Sequence, residues 1–183
     1  MKTILTFIGL LFCATIMAQT NYYTATKTFN EDGYTYQCDV PSYKLVTLYN
    51  KDSHYTYMRQ IYKDTGEPFC MPDAGIDLTE GDNWTRTKRY TIVRDAFSAA
   101  EKQRVKGREL TITMVINSST GKVDEVYFQF VTFDPYATIP VSVFRQIEVE
   151  IKKNIWYTPT SEGKKLNYIL LWWGQDPSAL IRL

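Results

Sequence analysis

The chain is poor in the residues and motifs on which most enzymes depend. It holds one histidine, His54, and three cysteines. It has no glycine-rich phosphate loop, no Gly-x-Ser-x-Gly elbow and no His-Glu-x-x-His pair. One histidine with two cysteines makes a poor zinc site without an added carboxylate. A Cys-His nucleophile would need Cys38 or Cys70 free and beside His54. Neither sign of charge is in excess: 21 basic residues stand against 20 acidic ones, so the footprint of a nucleic-acid-binding protein is absent. After Met17 no apolar run reaches the roughly 20 residues of a membrane span. These absences point to a non-enzymatic protein without cofactor, metal or nucleic-acid partner.

What is present begins with MKTILTFIGLLFCATIMAQT. One lysine precedes a short apolar run, and Ala18 supplies a small residue before Gln19, which together read as a signal peptide of residues 1–18. A lipoprotein-type cut before Cys13 is disfavoured by the bulky Phe12. The mature chain is therefore expected in the periplasm or secreted. Cys38 and Cys70 then form an even pair in an exported chain, for which a disulfide is expected, with two buried free thiols as the alternative.

Residues 19–88 read as a β-rich half. KTFNEDGYTYQCDV alternates polar and aromatic residues around Glu31-Asp32-Gly33, a hairpin signal. YKLVTLYN and HYTYMRQIYKD read as two further strands, rich in the aromatic and β-branched residues that suit a pleated surface. DTGEPFCMPDAGIDLTEGDNWT has no periodicity and reads as a loop. Its acids lack the alternating spacing of a calcium loop.

Residues 89–183 carry a sharper pattern. RYTIVRDAF looks extended. Ser98 and Glu101 make a capping box, predicting a short helix that stops at Gly107. Leu110, Ile112, Met114 and Ile116 alternate with polar residues, as do Val126, Phe128 and Phe130 beyond a turn at Gly121, predicting a paired hairpin. In IPVSVFRQIEVEIKKNIW, Pro140 suits a first helical turn, and Phe144, Ile147, Ile151 and Ile155 make one apolar face. Glu148 and Lys152 are spaced to pair one turn apart. LNYILLWW is apolar on both faces and reads as a last strand, with Gly163 turning the chain into it. The carboxylate pairs Asp124-Glu125 and Glu148-Glu150 read as solvated surface. The fold class is α+β, an antiparallel sheet with one long amphipathic helix on a face, the two halves forming one compact domain.

LTITMVINSSTGKVDEVYFQF, IPVSVFRQIEVEIKKNIWYTP and EGKKLNYILLWW, in that order, resemble the C-terminal domain of the TonB family over roughly residues 110–173. The resemblance includes Trp156, Tyr157 and Pro159 after the helix. The family's membrane anchor and proline-rich spacer are missing, as is the tyrosine-proline pair ahead of its hairpin. What the resemblance implies is a hairpin-helix-strand unit whose last strand pairs with an extended peptide from a partner. Here that strand is Leu166, Asn167, Tyr168, Ile169, Leu170, Leu171, Trp172 and Trp173. An open edge offers unpaired backbone groups to a peptide. The doubly apolar composition fits a covered strand equally. If Asn167, Ile169 and Leu171 are paired and buried within the monomer, the idea fails. The leading expectation is thus a protein- or peptide-interaction module of the cell envelope. The alternative is a carbohydrate- or peptidoglycan-binding module stacking sugars on Trp84, Trp172 or Trp173. A thiol hydrolase is the third class.

Overall fold

The computed structural model describes residues 20–70, 75–81 and 83–179; the expected signal peptide lies outside them. Among the described residues no helix is long and apolar enough to cross a membrane. The strands β1 (Lys27–Glu31) and β2 (Tyr34–Asp39) form the expected hairpin. Asp32 and Gly33 both take positive φ at its turn, which a two-residue connection of this kind requires. Then come β3 (Leu45–Asn50), α1 (Asn83–Ala96), α2 (Ala99–Val105), β4 (Leu110–Ile116) and β5 (Val123–Val131). The chain closes with α3 (Val141–Asn154), the one-turn α4 (Ser161–Lys164) and β6 (Ile169–Gln175).

All six strands join one antiparallel sheet in the order β1-β2-β3-β5-β4-β6. The alternation seen in the sequence sets its inner face. Leu110, Ile112, Met114, Ile116, Val126 and Phe128 are fully buried there, beneath Phe144, Ile147 and Ile151 of α3. Each such side chain contributes roughly 1.5–3 kcal/mol through burial. The capping box of α2 forms as expected, Ser98 and Glu101 each bonding the other's backbone. α3 starts just after Pro140, which occupies its N-cap.

Four expectations are corrected. RYTIVRDAF is helical, as part of α1. Its inward stripe runs Thr85, Arg89, Val93, Ala96, at helical spacing, but two members are polar and so the stripe does not read as apolar. HYTYMRQIYKD is not a regular strand; it makes two isolated bridges, Ile61 to Pro68 and Tyr62 to Leu166. The Glu125 carboxylate accepts the amides of His54 and Tyr55, so these two donors bond a side chain and not a neighbouring strand. Cys38 and Cys70 are free thiols, one facing the core from β2 and the other exposed. Burial pushes the Cys38 thiol up to about 11. Gly163 lies inside α4, where a Cβ would meet the Leu78 carbonyl at 2.1 Å.

Gly121 links the hairpin to the segment after α3. Its φ is +75, and a Cβ there would lie 1.8 Å from the Tyr157 carbonyl oxygen. Only glycine permits that approach. The Tyr157 amide then donates to the Gly121 carbonyl at 2.9 Å.

Candidate functional site

The eight residues expected to form the last strand are divided by the structure. Leu166, Asn167 and Tyr168 precede β6 and are held by residues 58–63. Leu166 is buried and bridged to Tyr62. Asn167 donates its amide to the Ile61 carbonyl, and its side chain accepts from the Ile61 amide at 3.0 Å. Tyr168 packs against Tyr55 with the rings tilted and their centroids 4.9 Å apart, and donates its hydroxyl to the Met58 carbonyl. This part is closed to a partner.

The remaining residues belong to β6. Ile169 and Trp173 are buried on the inner face and Leu171 is half-buried there, while Leu170 and Trp172 point to the outer face. Trp172 is 66% exposed. Asn167, Ile169 and Leu171 are thus all paired within the monomer, but of the three only Ile169 is buried; inward burial of alternate side chains leaves the strand's edge untouched. β6 pairs with β4 on one side, and among the described residues no strand flanks the other. From Ile169 to Gln175 the strand has no proline and no charge.

Trp173 is not a stacking platform, because it is 7% exposed. Its indole N–H donates to Gln175 Oε1 at 3.2 Å, and the Arg89 guanidinium lies 5.2 Å from its ring centroid. Arg89 also donates to the Tyr157 hydroxyl at 3.0 Å, joining α1 to the segment after α3. Trp84 and Trp156 meet each other at 4.3 Å, each about half exposed.

A cleft of about 220 Å³ opens at the end of β3 between Asp52, His54, Asp124, Glu125, Glu148 and Lys152. Neither cysteine lines it. Here the expectation of solvated carboxylates fails for two residues, Glu125 and Glu148, which are 6% and 1% exposed. Glu148 sits at the cleft floor and accepts from the Tyr36 hydroxyl and, at 3.4 Å, from Asn50; Lys152 lies 3.7 Å away. Burial raises the Glu148 carboxyl above its ordinary range, and Tyr36, Lys152 and Asn50 pull it back. Burial and the neighbouring Glu148 likewise raise the Tyr36 hydroxyl. Glu125 is engaged by the amides of His54 and Tyr55. Both carboxylates therefore serve as internal anchors. Among the described residues no group of His, Cys, Asp or Glu is placed to hold a metal ion.

The sequence signal that would have found these anchors is faint. Glu148 stands one residue after Ile147 and three before Ile151, inside the apolar arc of α3, but its spacing to Lys152 made a surface pair the simpler reading.

Comparison with known proteins gives one family. A family model described as a domain of unknown function, DUF5043, matches residues 19–173. A crystal structure of a DUF5043 family protein from Bacteroides uniformis is similar, with 44% identity and a TM-score of 0.83, over 88% of this chain and 96% of that one. No curated protein matches.

Proposed function

The chain belongs to the DUF5043 family, and we propose that it is a non-enzymatic protein of the bacterial envelope that captures an extended partner segment on β6. The observation that carries this reading is the free, uncharged edge of that strand. Unpaired backbone groups along an edge are a template for β-augmentation, and alternate side chains supply specificity. The TonB-like order of hairpin, helix and strand supports the same mode of use, and the leader-like N-terminus supports export. The captured segment would lie beside Leu170 and Trp172, with residues 166–168 and their partners setting where it stops.

Hydrogen exchange tests the reading directly. In the free protein the outward amides of β6 should exchange much faster than those of β4 and become protected when an envelope extract is added. A photo-crosslinker at position 172 should then trap a discrete partner, whereas one at Tyr43, also exposed, should not. Protection of β6 equal to that of β4 in the free monomer would sink the idea.

A further inference from the structure

The outer face of the sheet carries two ranks of side chains that run straight across the strands. The first passes through Gln37, Tyr49, Tyr127, Thr113 and Trp172, each paired with the next across adjacent strands. The second passes through Asp39, Thr47, Gln129, Thr111 and Gly174. Residues directly opposite in antiparallel strands share a face, so both ranks look outward together. Thr47 and Thr113 form a buried floor, while Gln37, Gln129 and Thr111 keep part of their surface exposed.

Aromatic rings stand at the two ends of this strip. Trp172 occupies the β6 end. Tyr49 lies three strands away, about 14 Å by strand spacing, and Tyr57 meets it edge-on, with ring centroids 5.8 Å apart and planes at 88°. Tyr57 is 67% exposed, yet it is not loose. Its hydroxyl donates to Asp39 Oδ2 at 2.8 Å, which also accepts from Tyr49 at 2.9 Å; Gln37 donates to the other carboxylate oxygen at 2.8 Å. Burial and the Asp39 carboxylate push the Tyr49 hydroxyl up to about 12, so it stays a donor at neutral pH. An exposed ring fixed by a hydrogen-bond network is prepared for a ligand, because the ordering cost is met before binding.

We propose that this outer face binds a chain of uncharged sugars, stacked on Trp172 at one end and on Tyr57 at the other. The occupant follows from charge. The two ranks contain one ionised group, Asp39, already committed to three donors, and the Glu109 carboxylate lies over Gly174 at the margin. The ranks hold no cation to pair with an anionic glycan or nucleic acid. The partly exposed Thr111 hydroxyl and the Gln37 and Gln129 amides can donate and accept, matching a polyhydroxylated ligand. Sugar rings present C–H groups that pack on the negative face of an aromatic ring. The length of the strip suits several sugar units and not one.

Isothermal titration of the full mature chain with cellohexaose, laminarihexaose, mannohexaose and chitohexaose tests this, with a heparin hexasaccharide as the anionic arm. At least one uncharged hexasaccharide should bind and the heparin fragment should not. Trp172→Ala and Tyr57→Ala should each weaken binding by about tenfold or more, with both variants still folded in thermal unfolding because both rings lie largely outside the core. Tyr57→Phe should weaken it less, since the ring remains but its link to Asp39 is cut. Trp84→Ala should have no effect. The proposal is overturned if no uncharged hexasaccharide binds, if the heparin fragment binds instead, or if binding survives both alanine variants. The β6 edge reading is judged by amide protection and stands or falls separately.

Discussion

The two edges of the sheet treat the same physical liability in opposite ways. β1 is short and guarded. It begins with Lys27, ends with Glu31 and leaves most of its residues exposed. Lys27 lies 4.8 Å over the Phe29 ring, and Asn30 accepts from Thr35. A second strand approaching β1 would have to desolvate those charges. β6 is longer, carries no charge, and exposes an indole beside its free edge. Proteins protect edges against unwanted pairing with charges and short strands, and here the protection is spent on one edge only. An edge left unguarded in a sheet that guards its other edge is the feature the proposed function uses.

The strongest test of this asymmetry concerns anchoring. Trp173 ties β6 to α1 through Arg89, whereas Phe29 is only half-buried against the core. Trp173→Ala should lower stability by about 3–5 kcal/mol, and Phe29→Ala by about 1–2 kcal/mol, read from urea unfolding midpoints. Equal losses would mean that the two edges are held alike.

Exchanging the guards should produce the next effect. Lys27→Ile combined with Glu31→Val strips β1 of its charges and should shift the protein toward self-association in size-exclusion chromatography. Trp172→Lys places a charge at the β6 edge and should abolish partner crosslinking from a photo-crosslinker moved to position 170, while changing stability by about 0.5 kcal/mol or less. If the first variant stays monomeric, charge is not what keeps β1 free.

The smallest effect depends on pH and lies on the guarded side. Burial raises the Glu148 carboxyl from its ordinary 4.5, so the folded chain keeps a proton that the unfolded chain releases. The linked stabilisation is complete below the ordinary value and is lost as pH rises through the raised one. Because Tyr36 of β2 and Asn50 of β3 bind this carboxyl, the protection factors of amides in those strands, corrected for the intrinsic exchange rate at each pH, should fall as pH rises above the ordinary carboxyl value, while those of β6 are unchanged. Glu148→Gln should remove the dependence. A pH response in β6 of equal size would show that the two sides are coupled.

Much of this architecture is readable along the chain because it rests on local rules. Asp32-Gly33 and Gly121 mark two hairpins, the alternation around Ile112 and Phe128 gives their faces, and Phe144, Ile147 and Ile151 give the long helix. Where a polar residue serves the interior, the reading breaks. Arg89 and Thr85 hide the inward stripe of α1, and Glu148 looks like half of a surface pair. The tyrosines of residues 54–62 suggest a strand, yet each is used singly: Tyr55 on Tyr168 and Tyr57 on Tyr49. Of the last strand, composition showed that it was apolar but not which residues of it would be paired.

Sequence by itself determined the two hairpins, the principal helix and the α+β class, since turn residues and periodicity act over a few neighbouring positions. Tertiary structure decided the rest: that β6 ends the sheet, that Cys38 and Cys70 stay apart, and that Gln37, Tyr49, Tyr127, Thr113 and Trp172 form one line. Those outcomes depend on which strand lies beside which, and on register between residues as far apart in the chain as Tyr49 and Tyr127. No local pattern encodes that.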